Sequence, residues 1–201
     1  MPLSGILGGM VMARGGAALA AVVTALVLGA SGFVIDAPAG ATAPRMTVDE
    51  AMQALELIRP ARGKAAGDFT LPLVDGQRFR LSEHQGRPVF INFWATWCPP
   101  CLEELPAMER LWREHKERGL VMVAVSLDAN PKVVAPFIAK HGFTFPVAID
   151  SRLDVANAYG VRALPATVLV DRQGQLAALA LGPRAWDNAA AHALIGGLTG
   201  R

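Results

Sequence analysis

Asn92-Phe-Trp-Ala-Thr-Trp-Cys-Pro-Pro-Cys-Leu-Glu-Glu-Leu-Pro106 decides the reading of this chain. It carries the only two cysteines, Cys98 and Cys101, spaced so that a disulfide can open and close within one helical turn. Just before it, Pro88 to Trp94 is a near-continuous apolar run, the pattern of a strand covered on both faces. After it, Leu105, Met108, Leu111 and Trp112 recur on one side of a helix that reaches Arg118. Pro106 is expected to kink that helix and Gly119 to end it. The two thiols therefore fall where a strand hands over to a helix.

Four chemistries compete for such a pair. Haem attachment needs a histidine directly after the second cysteine, and Leu102 stands there. Structural zinc needs four ligands. Beyond the cysteines the chain offers only His84, His115, His141 and His192 for soft ligation, none expected to form a close pair, so no metal site is expected. A purely structural disulfide in so small a ring removes little chain entropy. Redox chemistry suits the placement better. A helix N-terminus presents free N–H groups and a partial positive charge, which favour thiolate over thiol. Cys98 is expected to be the exposed attacking sulfur and Cys101, one turn in, the more buried resolving one. Pro99 is tolerated in the first turn. Together with Pro100 it removes two amide donors and stiffens the loop.

Working outward, Leu120–Ser126 reads as a second buried strand, Pro131–His141 as a helix, and Phe145–Ile149 as a short strand. Leu153–Tyr159 reads as a short helix. Ala166–Asp171 and Gln175–Leu181 form a hairpin around Arg172-Gln-Gly174, and a last helix covers about Arg184 to Leu198. Upstream, Phe69–Val74 and Gln77–Leu81 flank Asp75-Gly76, a strong turn dipeptide, with Pro72 suited to an edge strand. Thr47-Val-Asp-Glu50 is a capping box for a short helix ending near Pro60. The order implies an α/β fold with a central mixed sheet flanked by helices and an N-terminal β-hairpin.

Ala17 to Ile35 is uncharged, and nineteen residues of helix span roughly 28 Å, about the thickness of a bilayer's hydrocarbon layer. Its length favours an uncleaved anchor, with a cleaved signal peptide ending near Ala39-Gly-Ala41 as the alternative. Arg14 before it and Asp36 after it place residues 1–16 in the cytoplasm and export everything beyond the segment. The expected organisation is therefore 1–16 cytoplasmic, 17–35 transmembrane anchor or signal peptide, 36–67 linker with a short helix, and 68–201 the folded domain. In 201 residues, 52% apolar, the formal charge is only +2 and the basic residues are dispersed, which argues against a nucleic-acid surface.

The Asn92–Pro106 stretch resembles the TlpA/ResA-like branch of exported thioredoxin-fold proteins. Gly160-Val-Arg-Ala-Leu-Pro-Ala-Thr167 is similar to the loop that carries a cis-proline beside the active site in thioredoxin-like proteins. The resemblance covers about Asp68 to Leu198. It implies a thioredoxin-like fold, with Pro165 as the cis-proline and the Leu164 backbone pairing with an extended substrate segment. It also implies that Glu104 matches an acidic residue held near the thiols, able to accept the Cys101 proton or raise its pKa. Asn92 stands where cytosolic thioredoxins carry a buried Asp, which puts that buried-acid relay in doubt. Trp97 is expected to pack over the loop or against a bound partner.

The function this resemblance implies is an exported thiol–disulfide oxidoreductase, a reductant of protein disulfides in cytochrome c maturation or copper-centre assembly. It would work as a monomer on the periplasmic side of the inner membrane, recharged by a membrane electron donor. It would use no cofactor beyond the Cys98–Cys101 disulfide. Two alternatives stand beside it. A peroxidase of the peroxiredoxin kind shares the fold, but Ile91 and Ala95 occupy the positions that its Pro-x-x-x-Thr/Ser-x-x-Cys pattern requires. A Cu(I)- or protein-binding module would use the dithiol as a soft ligand pair.

Overall fold

The computed structural model describes residues 46–200. The segment 17–35, expected to cross the membrane or be cleaved, lies outside the described residues, as do residues 1–16, expected to be cytoplasmic. Among the described residues no helix is long and apolar enough to span a bilayer.

Five strands make one mixed sheet. β3 (Val89–Trp94) lies at its centre, parallel to β4 (Val121–Ser126) and antiparallel to β6 (Ala166–Val170). β5 (Val147–Ile149) pairs parallel with β4, and β7 (Leu176–Leu181) antiparallel with β6, giving the order β5-β4-β3-β6-β7. Every residue of β3, β4 and β6 is buried. Sheet interiors covered on both faces need such continuous apolar strands. One face is covered by α1 (Val48–Ala54), α2 (Pro99–His115), α3 (Val134–His141) and α5 (Ala189–Thr199), packed on Phe90, Trp94, Met122 and Leu169. The other face carries α4 (Asp154–Ala158) and the hairpin of β1 (Thr70–Pro72) and β2 (Arg78–Arg80), packed on Ile91, Phe93, Val123 and Val168.

Several boundaries differ from the sequence expectation, each for a physical reason. The first helix keeps its capping box, with the Thr47 side chain and the Glu50 carboxylate exchanging bonds with each other's backbone. It stops at Ala54 rather than near Pro60, because the chain turns at Glu56 (φ 51°) and Ile58 bridges to Leu179 of β7. Residues 46–67 are not a mere linker. Ala51, Met52 and Leu55 are buried against α5, and Ile58 and Ala65 bridge to the outer edge of β7. The folded unit thus begins before residue 68. The last helix starts at Ala189, capped by the Asn188 side chain, because residues 182–187 are needed elsewhere. Pro106 lies inside α2, and Gly119 ends the following 3-10 turn at φ 98°, a conformation that only glycine adopts at little cost.

Candidate active site

Strand β3 ends at Trp94, and Ala95-Thr-Trp97 carries the chain to Cys98, the N-cap residue of α2. The turn is held from two sides. Cys98 N–H donates to Ala95 O at 3.2 Å, while Asp128, beyond the end of β4, accepts from the Thr96 backbone at 3.0 Å and from its hydroxyl at 2.6 Å. Ser126 donates to the same carboxylate at 2.8 Å. Thr96 reaches Asp128 because parallel pairing places Ser126 opposite Trp94.

Cys98 and Cys101 are joined in a disulfide with their Cα atoms 5.3 Å apart. Cys101 is fully buried, as expected, but Cys98 is only 3% exposed, not the open sulfur expected. In the closed disulfide its sulfur is drawn back onto Cys101. Trp97 and Pro99 are the exposed residues of the turn, Trp97 at 67%, and Pro100 is half-buried.

The Leu164–Pro165 peptide bond is cis. Phe93 pairs with Ala166, so Pro165 follows one register step on, at the β3 end that leads to Cys98. Pro165 is buried and Leu164 half-buried. Among the described residues no backbone group pairs with the Leu164 N–H or C=O.

Behind the disulfide lies Glu104, three residues after Cys101 and so on the same side of α2. It is 3% exposed. Its Oε1 accepts from Asn92 Nδ2 at 2.7 Å. Its Oε2 accepts from Arg184 N–H at 3.0 Å and Trp186 Nε1 at 3.1 Å. Burial pushes the carboxyl up to about 7, held back by the bonds from Arg184, Asn92 and Trp186. It is therefore poised to exchange a proton near neutral pH. Glu104 is thus a residue of the core, unlike its exposed neighbour Glu103.

Asn92 also bonds Thr167 Oγ1 at 3.0 Å, and its Oδ1 is buried without a partner. Turning the amide over would aim Oδ1 at Glu104 and Thr167, as an acceptor for a protonated carboxyl and for the threonine hydroxyl. The neutral amide can thus match either protonation state, which a second carboxylate could not do without a shared proton.

Arg184 and Trp186 escaped the sequence reading, which placed both in a helix. The Arg184 guanidinium caps the end of α1 through Leu55 O at 2.6 Å and Glu56 O at 3.3 Å. It also bonds Leu181 O and Pro183 O. These contacts fix the loop that brings the Arg184 N–H and the fully buried Trp186 to Glu104. Trp186 packs edge-on to Phe90 at 4.8 Å. No local spacing marks an indole as the partner of a carboxylate so remote in sequence.

The histidines also differ from expectation. His115 and His192 do form a close pair, Nε2 to Nδ1 at 2.9 Å, with His115 buried. Two helices remote in sequence bring them together, so spacing could not reveal them.

The profile of the AhpC/TSA family matches residues 62–179. The chain is 41% identical over 114 residues to the thiol-disulfide oxidoreductase ResA of Halalkalibacterium halodurans, 57% of this chain and 65% of that protein. With ResA of Geobacillus kaustophilus it is 41% identical over 116 residues, 58% of this chain and 67% of that protein. The chain thus spans about two thirds of the length of these relatives. Among solved structures, a thiol:disulfide interchange protein, DsbE, from Chlorobium tepidum superposes with a TM-score of 0.59 at 35% identity, covering 63% of this chain and 89% of that one. StoA from Bacillus subtilis superposes at 0.53 with 28% identity, over 58% of this chain and 89% of that one. A strand-to-helix disulfide beside a cis-proline, inside this fold and this similarity, places the chain in the AhpC/TSA family, among its ResA-like thioredoxin-fold members.

Proposed function

We propose that the protein is an exported thiol–disulfide oxidoreductase that reduces disulfides in protein substrates. The observation that carries this reading is the Cys98–Cys101 disulfide at the N-terminus of α2, backed by a buried carboxyl within the same helical turn. In the reduced protein, Cys98 receives the positive end of α2 and is the nucleophile. Its thiolate attacks one sulfur of a substrate disulfide, forming a mixed disulfide and releasing the other sulfur as a thiolate that takes up a proton. Cys101 then gives its proton to the Glu104 carboxylate and attacks the Cys98 sulfur. The mixed disulfide breaks, two electrons have passed to the substrate, and Cys98–Cys101 is closed. A membrane electron donor reopens it.

The substrate segment lies extended across Trp97, Pro99 and Pro100, with its backbone paired to the free N–H and C=O of Leu164 beside Pro165. Export and anchoring follow from the apolar run 17–35, with residues 36–45 leading to the folded unit on the periplasmic side. The substrate class consistent with the ResA-like relatives is a cysteine pair in a protein awaiting a cofactor, such as an apocytochrome c or a copper-delivery protein. Capture by the Cys101→Ser protein followed by mass spectrometry tests the proposal: adducts through Cys98 are expected, and adducts independent of Cys98 would overturn it. The peroxidase alternative has no Thr/Ser at Ala95 or Pro at Ile91 to activate peroxide. Peroxide turnover that survives loss of Cys101 would favour it, and tight Cu(I) binding without disulfide reduction would favour the copper module.

A further inference from the structure

At the far end of α2, about 21 Å along the helix from Cys101, lies a cluster that the redox chemistry does not use. His115, in the last turn of α2, and His192, one turn into α5, meet at 2.9 Å between Nε2 and Nδ1. Glu114 brings Oε2 to 3.4 Å from His192 Nδ1 and Oε1 to 3.9 Å from His115 Nε2. All three ligand atoms fall within 4.8 Å of one another. We propose that Glu114, His115 and His192 form a binding site for a divalent transition-metal ion of the zinc type, clamping the end of α2 to α5.

The separations fit such an ion. Ligands bonded at about 2.0–2.1 Å and subtending 90–109° lie roughly 2.9–3.4 Å apart. The His115–His192 edge and the His192–Glu114 Oε2 edge already meet that range, and the His115–Glu114 edge closes when the half-exposed carboxylate turns to bring one oxygen to both rings. Two imidazoles and one carboxylate select zinc, copper(II) or nickel(II) over calcium and magnesium, which want an oxygen cage. An open hollow lined by Met46, Thr47, Glu114, His115, Arg118 and His192 leaves room for water as the remaining ligands.

The metal-free pair has its own structure, which sets the binding stoichiometry. The ring centroids are 5.2 Å apart, so the two nitrogens face each other across one N–H···N bond. Before the ion can enter, that proton must pass to the other nitrogen of its own ring. His115 is buried and stays in place, while the partly exposed His192 ring swings aside to aim Nδ1 at the ion. Once bound through Nε2, His115 keeps its ring proton on Nδ1. Burial, then His192 and Arg118, push its pKa down, against a smaller opposite pull from Glu114. Arg118, 3.6 Å from Glu114 Oε1, opposes a cation.

Calorimetric titration of untagged, disulfide-closed protein with ZnCl2 tests the site. Closing the disulfide removes the dithiol as a competing ligand, so the outcome is independent of the redox proposal. Expected are one Zn2+ per chain and binding weakened at least about tenfold by His192→Ala. Glu114→Gln, at an exposed position, weakens it as well, and His141→Ala leaves it unchanged. Absence of saturable binding, binding that survives His192→Ala, or binding abolished by His141→Ala would overturn the proposal.

Discussion

Asn92 Nδ2 donates to Glu104 Oε1 at 2.7 Å in the interior between β3 and α2. The bond ties the centre of the sheet to the residue one turn beyond Cys101. It makes the acid behind the disulfide part of the core rather than of the surface. Most of the behaviour expected of this site follows from that burial.

Glu104→Gln is expected to remove a pH-dependent limb from thiol chemistry. With the carboxyl at about 7, the wild-type rate of Cys101 attack rises as pH passes through that value and the carboxylate becomes available. The Gln variant should lose this rise while keeping the fold. Stopped-flow resolution of a mixed disulfide between pH 5 and 9 reads it directly, and an unchanged profile would sink the assignment.

The same carboxyl makes stability fall as pH rises. In the unfolded chain it titrates near 4.5, in the folded one near 7, so the folded state holds the proton more tightly in between. Its contribution is full below pH ~4.5 and is lost as pH rises through about 7, by roughly 1.4 kcal/mol per unit and about 3 kcal/mol in all. Urea unfolding of wild type and Glu104→Gln across that window should differ in slope, the variant being flatter.

Trp186→Phe keeps the ring against Phe90 but deletes one N–H donor to Glu104 Oε2. A hydrogen bond to a charged group is worth about 1.5–3 kcal/mol, so the Glu104 transition should move up by roughly one to two pH units. A merely structural tryptophan would lower the melting temperature without moving the profile. Carboxyl titration followed by infrared absorption distinguishes the two.

Asn92→Asp would place a second carboxyl within hydrogen-bond reach of Glu104. Like charges in a buried site share one proton, so the pair should titrate in two steps, the upper above the wild-type value. Stability above pH 8 should drop relative to wild type, and recover in Asn92→Asp combined with Glu104→Gln.

Asp128→Ala strips the acceptor from the Thr96 N–H, the Thr96 hydroxyl and Ser126. Leaving such groups buried and unpaired costs about 1–3 kcal/mol. The turn before Cys98 should loosen, read as faster exchange of the Thr96 and Cys98 amides with little change in the β4 core.

The legible part of this protein was local. Val89–Trp94 and Val121–Ser126 announced buried central strands because both faces of the sheet exclude water. The Cys98–Cys101 spacing announced a disulfide, and Asp75-Gly76 and Thr47–Glu50 announced a turn and a cap. Each of these depends on residues a few positions apart. The illegible part was assembled across long separations. Arg184 reaches back to Leu55 O, Trp186 to Glu104, Thr96 to Asp128 and His115 to His192. No periodicity records such meetings.

By itself the amino-acid sequence determined the order of strands and helices and the strand-to-helix seat of Cys98 and Cys101, because backbone periodicity and helix capping are short-range. Only the tertiary structure decided that Glu104 is buried beneath them and draws donors from two segments remote in sequence. Desolvation and hydrogen bonding belong to the packed interior, and they alone bring a glutamate from an ordinary surface acid to one that holds its proton near neutrality.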